Sequence, residues 1–195
     1  AVGLVACAGA LVIIAGGFDL SAGAIYVLSG VLAAKVANST SAEVGIAAGI
    51  AAAVGLGAVN AVICTVGRIN PFVGTLATSI FFAGIATVIS GGGFVIIEDP
   101  SFAALSDSVF GVKVSILIFA AFALLCAFLL NRTVFGRRLF ATGDNLEAAR
   151  LSGIRTHRVQ AATYLLSGLA AGIAGVVVAS RALSVASTSG TANNL

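Results

Sequence analysis

The strongest constraint on this chain is where its charges are absent. Charge-free stretches run over residues 1–18, 20–34, 44–67, 69–97, 114–131 and 159–180, and the last four are 24, 29, 18 and 22 residues long. A bilayer's hydrocarbon core is about 30 Å thick and takes roughly 20 helical residues to cross, so each of those four runs is long enough to span it. Backbone in lipid must satisfy its own hydrogen bonds, which leaves helices or closed barrels. Barrel strands alternate in hydrophobicity over about ten residues, and these runs do not alternate. The expected fold class is all-α, a polytopic transmembrane helix bundle in one membrane domain over residues 1–195. Its spans are expected at about 1–15, 20–37, 44–66, 72–90, 114–131 and 160–180, with a long connecting loop over 132–159.

Composition supports the same solvent. Of the 195 residues, 59% are hydrophobic and 9% charged, against about 25% charged in an ordinary globular domain. The 10 Lys and Arg are separated by long uncharged runs and form no basic stripe suited to nucleic acid. The apolar excess argues against disorder. The chain opens with Ala inside an apolar run and closes on the polar stretch STSGTANNL, residues 187–195, so it reads as a fragment truncated at both ends. No charged segment precedes the first run, which reads as a truncated span and not as a signal peptide. Cys7, Cys64 and Cys126 lie far apart without CxxC or Cys/His spacing. They are expected to be small packing residues, with no metal site and no disulfide framework.

Charge also gives a direction. The loop after the fifth run carries Arg132, Arg137, Arg138, Arg150, Arg155 and Arg158 against Asp144 and Glu147, which by the positive-inside rule makes it cytoplasmic. The loop with Glu98, Asp99, Asp107 and Lys113 is net acidic and belongs outside. Alternation then puts the Arg68 turn inside, the Lys35–Glu43 loop outside, the GGFDLS break near the inner face and the tail after Arg181 outside. Gly45 with Gly49, and Gly168 with Gly172 and Gly175, sit at the spacing that lets helix backbones approach in lipid.

The long inner loop contains its own helix signal. Asp144 can serve as an N-cap, Glu147 three residues on completes a capping-box-like pair, Arg150 suits the C-terminal dipole, and Gly153 can end the helix in the left-handed conformation. The predicted helix runs from about Asn145 to Ser152, with a shape suited to docking in a groove on a partner protein. A solvated surface loop with incidental caps is the alternative.

The segment GRRLFATGDNLEAARLSGIRTHRVQ, residues 136–160, closely resembles the cytoplasmic coupling loop of bacterial ABC-importer permeases of the ribose and monosaccharide family, which carry a similar "GR...A.G.N..AARLSGI" stretch. GGFDLSAGAIYVLSG at 16–30 is similar to that family's "G.DLS.G" segment. GRINPFVGTLAT at 67–78 is similar to the turn and helix start that follow the next span. Asp144 stands where the family usually has Gly. The resemblance implies a multi-pass permease of the bacterial plasma (inner) membrane that forms a homodimer around a monosaccharide path. It also implies an extracytoplasmic solute-binding protein and cytoplasmic ATP-binding subunits as partners. No GxxxxGK[ST] phosphate loop occurs, so ATP is expected to be bound by the partner, with no cofactor and no catalytic residue in this chain.

Rigid-body movement driven by the ATPases would need a stiff, gripped helix. Gly143, Asp144, Asn145, Glu147, Ala148, Ala149, Arg150 and Gly153 are the coupling candidates, with Glu147 to Arg150 as the gripped face and Gly143 and Gly153 as hinges. Asp19 is the sole charge before Lys35. It reads either as a cap for the following helix or as a group acting directly in transport. Asn70 with Pro71 reads as an N-cap followed by Pro in the first turn. A sugar stripped of water needs replacement hydrogen bonds and flat aromatic faces, which Tyr26, Asn60, Thr75, Thr78, Ser79, Phe81 and Phe82 offer. Bonding of Ser and Thr to their own helix, and packing of Phe against lipid, is the plainer reading. A related permease for a nucleoside or a branched-chain amino acid, or a passive small-solute channel, is the alternative function. An intramembrane enzyme is disfavoured, because the spans hold no HExxH and no His.

Overall fold

A computed structural model describes residues 1–109 and 111–186; the polar stretch 187–195 lies outside the described residues. Eight helices follow in order: α1 (Val2–Ile14), α2 (Ala22–Ser39), α3 (Ala42–Ala61), α4 (Pro71–Ser90), α5 (Val114–Arg132), α6 (Val134–Asp144), α7 (Leu146–Leu151) and α8 (Thr156–Ala182). A π-helical turn, Val62–Val66, prolongs α3. Short strands β1 (Phe94–Ile96), β2 (Ser108–Val109), β3 (Val112–Lys113) and β4 (Ser184–Ala186) lie between or after the helices. Five helical segments, α2, α3 with its π turn, α4, α5 and α8, are long and apolar enough to cross a membrane, and α1 is shorter. The fold is a helical transmembrane bundle, as the charge spacing requires.

Local chemistry sets the helix ends. Ser41 is extended and its hydroxyl accepts from the Val44 N–H, which starts α3. Asn70 accepts from the Phe72 N–H at 3.0 Å with Pro71 at the first position of α4, the expected cap. Gly91 ends α4 at φ +71°, a conformation that costs glycine nothing. Extended Thr133 separates α5 from α6, and its hydroxyl accepts from the Gly136 N–H.

Helices α2, α3 and α8 form the centre. Ile25, Leu28 and Val31 of α2 are fully or almost fully buried with Val176 of α8 and Phe82 of α4. A second cluster joins Leu4 and Leu11 of α1 to Phe122 and Cys126 of α5, Leu139 of α6, and Ala170 and Ala174 of α8. The approach of α3 to its neighbours depends on missing side chains. A Cβ on Gly49 would lie 2.6 Å from the Ser29 carbonyl oxygen, and one on Gly168 would lie 2.5 Å from that of Ala53. In lipid, where apolar faces gain little by meeting each other, such backbone proximity is a main source of packing energy.

The connecting segments fall on two ends of the bundle. At one end β1 pairs antiparallel with β4, with Phe94 opposite Ala186, and the Asn38 side chain donates to the Ile96 carbonyl at 2.7 Å and accepts from the Glu98 N–H at 3.1 Å. The 3-10 helix Pro100–Ser106 is tied down there by fully buried Phe102, and the β2–β3 hairpin follows it. The Asp99 carboxylate accepts from the Ser101 hydroxyl and N–H, which holds its carboxyl below the usual range. At the other end Gly16, Arg68, α7 and the start of α8 surround a common cavity. Lys35–Glu43, residues 91–109 and 111–113, and residues 182–186 thus share one end, and the GGFDLS break, the Arg68 turn and the Arg-rich loop share the other. That is the grouping which strict alternation of the spans demands.

Candidate functional site

The Arg-rich loop folds as two helices where the sequence reading expected one. Helix α6 buries Gly136, Leu139 and Thr142 and exposes Arg137, Arg138 and Phe140, so it lies amphipathically on the bundle. Helix α7 is the expected short helix. Its N-cap is Asn145 and not Asp144: Asn145 is extended, at φ −152° and ψ 103°, and its Oδ1 accepts from the Ala148 N–H at 2.9 Å. Asp144 is spent as the last residue of α6, whose helical backbone excludes the extended conformation a cap requires. Gly153 does end the turn after α7, at φ +81°.

Two further coupling assignments change. Gly143 lies inside α6, and a Cβ there would collide with the Ile14 carbonyl oxygen at the end of α1. The lack of a side chain at this expected hinge lets α6 approach the end of α1 closely. Ala149 is 3% exposed and therefore packs into the loop's own fold, which removes it from the gripped face. Leu146, Glu147, Ala148, Arg150 and Leu151 remain exposed, with Glu147 and Arg150 4.0 Å apart as a solvent-facing pair. Between α7 and the α3–α4 turn lies an open cavity of about 740 Å³, bordered by Gly16, Arg68, Asn70, Glu147, Arg150 and Tyr164.

Above that cavity a polar cluster fills the bundle. Asp19 Oδ1 accepts from the Ser21 N–H at 3.0 Å and from the Ser21 hydroxyl at 2.6 Å, and its Oδ2 accepts from the Ser167 hydroxyl of α8 at 2.6 Å. Asn60 Nδ2 donates to the Ser21 hydroxyl at 2.6 Å, and Asn60 Oδ1 accepts from the Thr78 hydroxyl of α4 at 2.7 Å. The Thr75 hydroxyl donates to the Pro71 carbonyl and accepts from the Leu20 N–H at 3.1 Å. Nearby, Tyr164 donates to the Phe18 carbonyl at 3.2 Å, and Gln160 donates to that of Ala15. Ser21, Asn60 and Thr75 are fully buried, and among the described residues no buried side-chain nitrogen or oxygen lacks a partner.

Asp19, Asn60, Thr75 and Thr78, four of the predicted path residues, are therefore brought together: Asn60 bonds Thr78 directly and reaches Asp19 through Ser21, while the Thr75 hydroxyl bonds the backbone of Pro71 and Leu20. Asp19 does not cap the first turn of α2. Its carboxylate closes a turn onto Ser21, the residue just before that helix, and ties it to α8. Tyr26 stands apart from the cluster, partly buried against both hydrophobic clusters. Phe82 is buried, whereas Phe81 is 65% exposed on α4. Ser21 and Ser167 were missed as site residues. Their signal was weak, because a lone serine in an apolar run usually bonds to nearby backbone.

Residues 1–194 match the family described as branched-chain amino acid transport system / permease component. The chain is 42% identical over 181 residues to the L-arabinose transport system permease protein AraH of Escherichia coli, covering 92% of this chain and 55% of that protein. It is 38% identical over 193 residues to the ribose import permease protein RbsC of Bacillus subtilis, covering 96% of this chain and 60% of that protein. Its identity to the ribose import permease protein RbsC of Escherichia coli is 32% over 194 residues, 95% of this chain and 60% of that one. The chain thus spans little more than half the length of these relatives. No solved structure matches it.

Proposed function

The chain belongs to the family of branched-chain amino acid transport system permease components, and from that premise we propose that it forms part of the membrane subunit of an ATP-driven monosaccharide importer. It is a multi-pass protein of the bacterial inner membrane and carries no ATPase chemistry of its own. Among solutes, pentoses are the first choice, since the relatives cited above are named for arabinose and ribose. A nucleoside or branched-chain amino acid is the lesser reading.

The observation that carries the proposal is α7, a capped helix whose Leu146, Glu147, Arg150 and Leu151 are exposed while its Ala149 is buried. A helix gripped on that face would pass motion through α6 to the end of α1, where Gly143 meets the Ile14 carbonyl, and through Gly153 to α8. The Asp19–Ser21–Asn60 cluster binds the break after α1 to α3, α4 and α8, so these elements would move as one body. Cytoplasmic ATP-binding subunits are the partner for α7. A solute-binding protein on the opposite face and a second permease copy complete the assembly. Because the cluster's groups are already paired, exposed Phe81 is the path candidate best able to offer a sugar its apolar face.

Co-expression of the full-length permease with its ATPase subunit tests the reading. Leu146→Asp should reduce ATPase capture on the order of tenfold, a change of about 1.4 kcal/mol, and reduce L-arabinose or ribose uptake in parallel at unchanged membrane abundance. Uptake that persists without nucleotide would favour the passive channel and overturn the proposal.

A further inference from the structure

Between the first turns of α6 and the start of α8 lies a second cavity of about 480 Å³, lined by Val134, Phe135, Arg138, Arg155, Arg158 and Val159 together with Gly153. Three features distinguish it from an ordinary basic surface. The lining holds three arginines and no carboxylate, and the single ion pair among the described residues, Glu147 with Arg150, is elsewhere. Helix α8, 27 residues long, begins here with no side-chain cap and no acidic residue in its first turn, so the positive end of its macrodipole adds to the potential. The other half of the wall is apolar, from Val134 and Phe135 just after α5 and Val159 at the start of the final charge-free run.

These features coincide at one depth. Arg132 ends a membrane-crossing helix and Arg158 is the last charge before another, so the cavity lies level with the headgroups at the arginine-rich end of the bundle. A soluble anion would need the charges and gain nothing from the apolar wall. An acidic protein segment would meet the arginines but must displace lipid to reach Val134 and Phe135. A phosphodiester carrying acyl chains satisfies both halves.

We propose that this cavity binds the headgroup of an anionic phospholipid, its phosphate held by Arg138, Arg155 and Arg158 and its glycerol and upper acyl chain lying on Val134, Phe135 and Val159. Guanidinium groups suit this role because their planar fork can hold two phosphate oxygens at once. The site joins α6 to the first turn of α8, so the bound lipid braces the segment that carries α7. The assignment needs only the placement of the bundle in a bilayer and not the identity of the transported solute.

The test uses the full-length protein in its assembled complex, in nanodiscs of phosphatidylcholine doped with pyrene-labelled phosphatidylglycerol, with retention of the label as the readout. Each arginine near an anionic headgroup contributes about fivefold in affinity, so Arg138→Gln, Arg155→Gln and Arg158→Gln together should weaken retention on the order of a hundredfold. Arg137→Gln, outside the lining, should leave it unchanged and controls for folding and general charge. Equal retention by the triple variant and the unaltered protein would overturn the proposal. Release of the label by millimolar inorganic phosphate would reassign the cavity to a soluble anion. Loss of ATPase capture by the triple variant, with lipid retention intact, would reassign the arginines to the ATPase surface.

Discussion

At the scale of single residues, the buried hydrogen bonds at Asn60 and the side-chain-free surfaces of α3 and α8 have consequences that can be measured. Asn60 donates to Ser21 and accepts from Thr78 at full burial, so Asn60→Leu removes two buried hydrogen bonds and leaves the Ser21 hydroxyl only Asp19 and the Thr78 hydroxyl only the Thr75 carbonyl. A loss of about 1–3 kcal/mol in folding stability is expected, read as a lower thermal midpoint in detergent; an unchanged midpoint would mean the cluster is not structural. Glycines divide in the same way. A Cβ on Gly57 would come within 2.6 Å of the Tyr164 carbonyl oxygen, whereas one on Gly55 meets nothing within 4 Å. Gly57→Ala should therefore destabilise by about 1–3 kcal/mol, while Gly55→Ala, two residues away on the same helix, should be neutral or gain up to about 1 kcal/mol from better helix propensity. Matching midpoints for the two variants would contradict the α3–α8 contact.

At the scale of elements, the inner loop separates what a local pattern can reveal from what it cannot. The short helix, its terminating Gly153 and its position in the chain were legible, because caps act within one turn. The choice between Asp144 and Asn145 as cap was not, since both residue types cap well and the answer depends on where α6 ends. Helix α6 escaped notice because its apolar face is read only against α1 and α8. The corrected cap makes a prediction: Asn145→Ala should destabilise α7 by about 1 kcal/mol and weaken ATPase capture, whereas Asp144→Ala should do neither. Comparing capture by the two variants decides between them. Ala149→Trp, by contrast, should lower the amount of folded protein, because position 149 is buried and has no room for an indole.

For the whole molecule, the two ends of the bundle differ in their chemistry. Asn38, β1, β4 and the 3-10 helix knit one end together, and all the arginines but Arg181 gather at the other. In a background with Cys7, Cys64 and Cys126 replaced, a cysteine at Ser101 should react with membrane-impermeant maleimide from the periplasmic side and one at Arg137 should not. The reverse labelling pattern would invert the topology and with it the assignment of α7 to cytoplasmic subunits.

Spacing of charge alone determined that the chain is a membrane helix bundle, since an unpaired charge in hydrocarbon costs several kcal/mol whatever surrounds it. Helix α5, for instance, runs from Val114 to Arg132, over the charge-free residues 114–131 and one arginine beyond. Helix signals such as Asn70–Pro71 and Gly153 were equally local. Which polar residues meet is another matter. Asp19, Asn60, Thr78 and Ser167 are separated by as many as 148 positions, and nothing in the sequence around any one of them identifies the others as its neighbours. Only the approach of α3, α4 and α8 around the break after α1 decided that they bond to one another, because a hydrogen bond requires contact within about 3 Å and sequence carries no record of which helices are neighbours.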